Sequence, residues 1–146
     1  MAILFMPVLD QKIVEQLIPQ RKPIVMVDSL LGYQEDTVIA GLIISNNSIF
    51  VKGAYFQECG VIEHMAQSVA LFTGYQYFLK DQPAPMGYIG AIKQLTITRL
   101  PRVGEQMVTT ATILHEIMGV TLVDVVTKIE NEIIAFGQMK TVIANS

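Results

Sequence analysis

The sequence predicts an α+β protein in which a six-stranded antiparallel sheet wraps around one long central helix, and three observations carry that prediction. Gly60 to Gly74 reads Gly-Val-Ile-Glu-His-Met-Ala-Gln-Ser-Val-Ala-Leu-Phe-Thr-Gly, and at 100° per residue its apolar side chains cover almost the whole circumference, which marks a buried helix. Runs rich in β-branched residues, two before this helix and four after it, are separated by turn signals. At 146 residues the chain has room for one core, so helix and strands must share it as one domain spanning residues 1–146.

The elements follow in order. Asp10 to Ile18 forms a short helix with Ile13, Val14 and Leu17 at helical spacing, Asp10 as its N-cap and Pro19 as its stop. Ile24 to Asp28 reads as a strand that continues weakly to Tyr33, and Thr37 to Ile44 as a second. After the turn at Asn46-Asn47-Ser48, the segment Ile49 to Glu58 has no sustained period and reads as a loop leading to the central helix. Lys80 to Pro85 is a polar, proline-marked break. Four strands follow, Gly87 to Thr98, Gln106 to Glu116, Val120 to Ile129 and Glu132 to Ile143, and their short connections predict an antiparallel meander.

Composition narrows the function classes. With 51% hydrophobic and 16% charged residues and a mean hydropathy of +0.45, the chain has more apolar surface than a soluble monomer usually carries, so a homodimer or higher oligomer is expected. No apolar run approaches the roughly 18 uncharged residues of a membrane span, and Met1-Ala2-Ile3-Leu4-Phe5-Met6 leads into Pro7 and Asp10 rather than a cleavage site. The expectation is a cytoplasmic protein without a membrane partner. A net charge of −3 without an arginine-lysine cluster argues against nucleic acid. Cys59 is the single cysteine: it has no disulfide partner and no metal-ligand set around it, and no histidine stands at a recognisable spacing to activate it as a nucleophile. No cofactor or metal is implied.

Glu63 is the main functional candidate. It lies four residues before Gln67, on the face that also carries Ala66, Ala70 and Gly74. A buried carboxylate is expensive unless partnered, so it serves either as a hydrogen-bonded core group favoured by the helix macrodipole or as an acid-base group.

Four segments in order then carry a resemblance: Leu17-Ile18-Pro19-Gln20-Arg21-Lys22-Pro23, the run ending at Asp28, Gly60-Val61-Ile62-Glu63-His64-Met65-Ala66-Gln67, and Leu100-Pro101-Arg102-Val103-Gly104-Glu105. Over nearly its whole length the chain resembles the hotdog-fold 3-hydroxyacyl-acyl-carrier-protein dehydratases of fatty-acid synthesis. It is closer still to the dehydratase-like proteins of aryl-polyene and flexirubin-type pigment synthesis, which share its Gly-Ala-Ile-Lys segment, here Gly90 to Lys93. The resemblance implies a dimer with a continuous sheet and an acyl chain, on acyl carrier protein or coenzyme A, entering a tunnel at the subunit interface. It makes Glu63 the catalytic glutamate, Gln67 the residue that orients it, and the backbone N–H of Gly60 or Val61 the donor to the thioester carbonyl.

The chain departs from that pattern in front of the helix. The family loop holds a histidine in a Gly-His-Phe-Pro-like segment, whereas Val51 to Cys59 contains none, and Tyr55 or Ala54 falls nearest its slot. Tyr55 is the candidate hydroxyl donor. His64 points about 100° away from Glu63 round the helix and reads as a core or interface histidine. Glu58 reads as a solvated carboxylate and His115 as a rim residue. Lys93, Arg99 and Arg102 are candidates for docking an acidic carrier protein, or ordinary surface cations. Three functions are open on these residues: a dehydratase centred on Glu63, a hotdog thioesterase in which Glu63 activates water, and a non-catalytic acyl-binding partner subunit.

Overall fold

The computed structural model describes residues 11–144, so the proposed cap Asp10 lies outside the described residues. Helix α1 (Gln11–Leu17) leads to strands β1 (Ser29–Tyr33) and β2 (Thr37–Ile43). A small hairpin of β3 (Val51–Lys52) and β4 (Tyr55–Phe56) precedes the central helix α2 (Glu58–Leu79). Strands β5 (Gly87–Ile97), β6 (Gln106–Ile117), β7 (Val120–Ile129) and β8 (Glu132–Ile143) complete the described chain. The main sheet is six-stranded and antiparallel, in the order β1-β2-β6-β7-β8-β5. This is the α+β hotdog arrangement, with α2 seated on the sheet's inner face. Among the described residues no helix is long and apolar enough to cross a membrane.

Alternation along the strands decides what the helix meets. Met107, Thr109 and Ala111 of β6, Val123, Val125 and Thr127 of β7, and Ala135 and Met139 of β8 point inward and are buried. Val61, Met65, Val69 and Phe72 of α2 belong to the same apolar cluster. Two glycines set the helix position by close approach. A Cβ on Gly74 would collide with the carbonyl oxygen of Leu17, so Gly74 lets the end of α1 abut α2. One on Gly60 would come within 2.6 Å of the Phe56 ring, which packs under the helix start.

Three expectations need correction. Ile24 to Asp28 is not a strand: the amides of Ile24 and Val25 both donate to the carbonyl of Arg21 in a turn, at 2.8 and 3.0 Å, and the run then lies along α2 and meets the sheet at Asp28, whose amide donates to the Gly41 carbonyl at 2.9 Å. Its Val25, Met26 and Val27 are buried all the same, because the helix covers them. The loop before α2 contains the β3–β4 hairpin, where Val51 pairs with Phe56 and Lys52 with Tyr55. Third, the meander is confined to β6-β7-β8, since β5 pairs with β8 at the far edge of the sheet. A short connection does not force neighbouring strands to pair: three inter-strand steps span about 14 Å, well within reach of an extended link such as Thr98 to Glu105. That link is held along its way by hydrogen bonds from Phe56 N to Pro101 O (2.8 Å), Val103 N to Ala54 O (3.0 Å) and Ile44 N to Glu105 O (2.9 Å).

Candidate active site

Ile62, Glu63, Ala66, Ala70 and Thr73 recur at helical spacing on one stripe of α2 and are only half-buried. The sheet covers the opposite side of the helix and leaves this one partly open. Glu63 is therefore half-buried, not sunk in the core as the all-round apolar helix suggested. Near the sheet edge, Ile89 and Ile92 of β5 expose 38% and 43% of their surface, and Ile92 stands opposite the inward-facing Met139. Both regions are apolar surface that the described residues leave uncovered.

Glu63 has one fixed partner. Gln67 donates from Nε2 to Glu63 Oε1 at 2.8 Å and from the same nitrogen to the carbonyl of Ile24 at 2.9 Å, while its Oε1 accepts from the amide of Met26 at 2.6 Å. Gln67 is buried, so these bonds form out of water. Flipping its amide would set the NH2 group against the Met26 N–H and the oxygen against both the Ile24 carbonyl and the Glu63 carboxylate. Glu63 Oε2 has no hydrogen-bond partner among the described residues. The outcome is a half-open carboxylate aimed by a locked amide.

The neighbouring His64 turns to the core. It is fully buried, with Nδ1 2.7 Å from the carbonyl of Met26 and Nε2 2.9 Å from the hydroxyl of Thr109, which in turn lies 2.6 Å from that of Thr127. A carbonyl only accepts, so Nδ1 carries the proton and Nε2 accepts from Thr109. Burial pulls the imidazole pKa down to about 4, only partly opposed by the bond to Met26. His64 is neutral at pH 7 and does not face Glu63 across a proton.

At the start of α2, Gln57 occupies the N-cap without a side-chain cap bond; its amide group reaches back to the carbonyl of Tyr55 at 3.0 Å. The amides of Gly60 and Val61, the two singled out from the sequence, both donate to the Gln57 carbonyl at 2.9 and 3.1 Å. Val61, four residues past the N-cap, makes the first regular bond of the helix ladder, and a tightened first turn recruits Gly60 as well. Among the described residues it is the amides of Glu58 and Cys59 that lack an acceptor.

The remaining candidates separate from Glu63. Tyr55 is 42% exposed, forms no hydrogen bond with Glu63, and stacks its ring over the Arg102 guanidinium, 5.6 Å away. Arg99 is engaged by Glu105 at 3.0 and 3.2 Å and by Glu132 at 3.1 Å, with Glu105 chiefly responsible for raising its pKa. Lys93, on the edge strand, is depressed by the neighbouring Lys140. Glu58, Cys59 and His115 are exposed. No group of three or more potential metal ligands occurs among the described residues. The sequence reading missed the grip of His64 and Gln67 on Met26, because those partners lie 38 and 41 residues away and no local spacing signals them.

A six-stranded sheet around a helix that displays an amide-held glutamate defines the class as a hotdog protein. The chain belongs to the ApeP-like family, described as ApeP dehydratase, whose model matches residues 12–145. It is 23% identical over 135 residues to the 3-hydroxyacyl-[acyl-carrier-protein] dehydratase FabZ of Vibrio cholerae, a match covering 87% of this chain and 86% of the relative. Its fold is similar to the dehydratase heterocomplex ApeI:P from Xenorhabdus doucetiae, with a TM-score of 0.85 and 14% identity over 98% of this chain and 94% of that one. It is also similar to a hypothetical thioesterase with coenzyme A from Streptococcus pneumoniae, at a TM-score of 0.65 and 8% identity over 80% and 85% of the two chains.

Proposed function

We propose that this chain is a cytoplasmic subunit of a 3-hydroxyacyl-thioester dehydratase, a hydro-lyase, with Glu63 as its acid-base group. The observation that carries the reading is the half-open Glu63 carboxylate, one oxygen held by Gln67 at 2.8 Å and the other without a partner among the described residues. Dehydration needs a base for the C2 proton, a donor for the developing enolate oxygen and an acid for the departing hydroxyl. In this reading Glu63 takes the C2 proton, and the electron pair moves onto the thioester oxygen. The backbone of the first turn, Glu58 to Val61, receives that oxygen, the amides of Glu58 and Cys59 being the donors left unengaged among the described residues. As the enolate re-forms the carbonyl, the C2–C3 double bond forms and the C3 hydroxyl leaves with the proton returned by Glu63, as water. With no histidine in the Val51 to Cys59 loop, one carboxyl group serves both proton transfers.

The site is half of a larger one in this reading. Among the described residues β5 is an edge strand paired on one side, and it exposes Tyr88, Ile89 and Ile92, so a second hotdog chain adds to it and closes the space beside the α2 stripe. The substrate is an acyl chain on a pantetheine thioester, from acyl carrier protein or coenzyme A.

The test is interconversion of 3-hydroxyacyl and 2-enoyl thioesters by the purified protein, with and without a co-expressed second hotdog chain, against Glu63→Gln. Turnover by the wild type and its loss in a folded Glu63→Gln supports the proposal. Release of free thiol from a saturated acyl thioester would reassign the protein as a thioesterase. Binding of acyl carrier protein without either turnover would make it a partner subunit.

A further inference from the structure

The hydrogen bonds around Met26 form a directed chain that ends on Glu63. Thr127 Oγ1 lies 2.6 Å from Thr109 Oγ1, which lies 2.9 Å from His64 Nε2, and His64 Nδ1 lies 2.7 Å from the Met26 carbonyl. Met26 then donates its amide to Gln67 Oε1 at 2.6 Å, and Gln67 donates to Glu63 Oε1 at 2.8 Å. The direction is set at one point: the Met26 carbonyl accepts, so His64 carries its proton on Nδ1, Thr109 must donate to Nε2, and the Thr127 hydroxyl is left to donate to Thr109. His64, Gln67, Thr109 and Thr127 are all buried, where an unmade bond is costly and the chain has little freedom to rearrange.

Residue 26 is thus gripped from both sides by one helix, its carbonyl by His64 and its amide by Gln67. The segment carrying it, Ile24 to Asp28, belongs to no strand, and its bonds to the sheet lie at its far end, where the Asp28 amide donates to the Gly41 carbonyl of β2 at 2.9 Å. The Met26 amide and the Ile24 carbonyl, both on this segment, together fix which way Gln67 faces, and the orientation of Gln67 determines which Glu63 oxygen is held.

We propose that His64 is a positioning residue for Glu63, acting through Met26 and Gln67, with Thr109 and Thr127 fixing its tautomer from the sheet. The proposal rests on the reading of Glu63 as the acid-base group. It assigns the histidine beside the reactive glutamate to aiming the carboxylate, not to proton transfer.

The test compares His64→Leu, His64→Asn and Thr109→Val in the full-length protein. Asparagine places an N–H close to the Nδ1 position and keeps the bond to Met26; leucine removes it. His64→Leu is expected to lower kcat roughly a hundredfold with KM within about twofold, the mark of misaimed catalytic geometry. His64→Asn restores most of the loss, and Thr109→Val, nearly isosteric and less prone to unfold, lowers kcat by about tenfold. The independent readout is the Gln67 side-chain NH2 pair in NMR: slow exchange with water in the wild type and His64→Asn, faster exchange in Thr109→Val and His64→Leu. Folded variants with wild-type kcat, or with unchanged Gln67 exchange, would overturn the proposal. If Glu63→Gln proves fully active the reading of Glu63 fails, while the Gln67 exchange still decides whether His64 positions it.

Discussion

The two sides of helix α2 differ in how completely their polar groups are satisfied. On the side toward the sheet, His64 has partners on both ring nitrogens, and Thr109 and Thr127 bond to each other. On the other side Glu63 has, among the described residues, one hydrogen bond and an oxygen without a partner, beside Ala66 and Ala70, which fill little space. A polar group with every bond made in a closed core contributes to stability and specificity of packing. A carboxylate with spare capacity at a half-open surface is free to meet a substrate. The difference teaches that burial alone does not identify the chemical residue: the more deeply buried titratable group, His64, is the scaffold, and the half-buried Glu63 is the candidate reagent.

The largest expected effect should sharpen that division. Glu63→Gln, nearly isosteric, should lower dehydratase turnover by about a thousandfold or more while leaving the urea midpoint almost unchanged. Turnover retained in that variant would erase the distinction between the two sides.

His64 should dominate the acid limb of stability instead. Its pKa is lowered from the ordinary 6.5 to about 4, so between those values the unfolded chain binds more protons than the folded one. Stability that is complete above pH 6.5 therefore falls as the pH drops through this window, by an amount on the order of 3 kcal/mol. Urea unfolding of wild type and His64→Asn across pH 4 to 7 isolates the effect, and parallel curves would remove His64 as its source.

Gly74→Ala probes how the uncovered side is bounded. The new methyl would meet the backbone carbonyl of Leu17, which has no soft side chain to yield, so a loss of about 1–3 kcal/mol in urea unfolding is expected. Turnover per folded molecule should change little. Tyr55→Phe should do least: the ring stays on Arg102 and turnover should change by less than about threefold. A loss approaching that of Glu63→Gln would place Tyr55 in the chemistry despite its distance from Glu63 in the hydrogen-bond network.

Much of this architecture was legible residue by residue. Gly60 to Gly74 announced a central helix packed on most of its circumference because apolar side chains run round it; the described helix extends that run at both ends to Glu58 and Leu79 and leaves the Glu63 stripe half-buried. The strands Val120 to Ile129 and Glu132 to Ile143 were readable from alternation and from the turn between them. The four-residue step from Glu63 to Gln67 is a local helical relation, and their hydrogen bond follows from it.

What the sequence by itself determined is therefore what short-range spacing encodes: the central helix, most of the strands, and a glutamate one turn before a glutamine. Only the tertiary structure decided the rest. Ile24 to Asp28 looks like a strand because β-branched residues suit a pleated surface, yet its partners turned out to be side chains of α2 some forty residues away. The crossing that sends β5 to the far edge, the half-burial of Glu63 and the choice of unengaged amides at the helix start depend on elements meeting in space. Periodicity states which face of an element is apolar; it does not state what that face will touch.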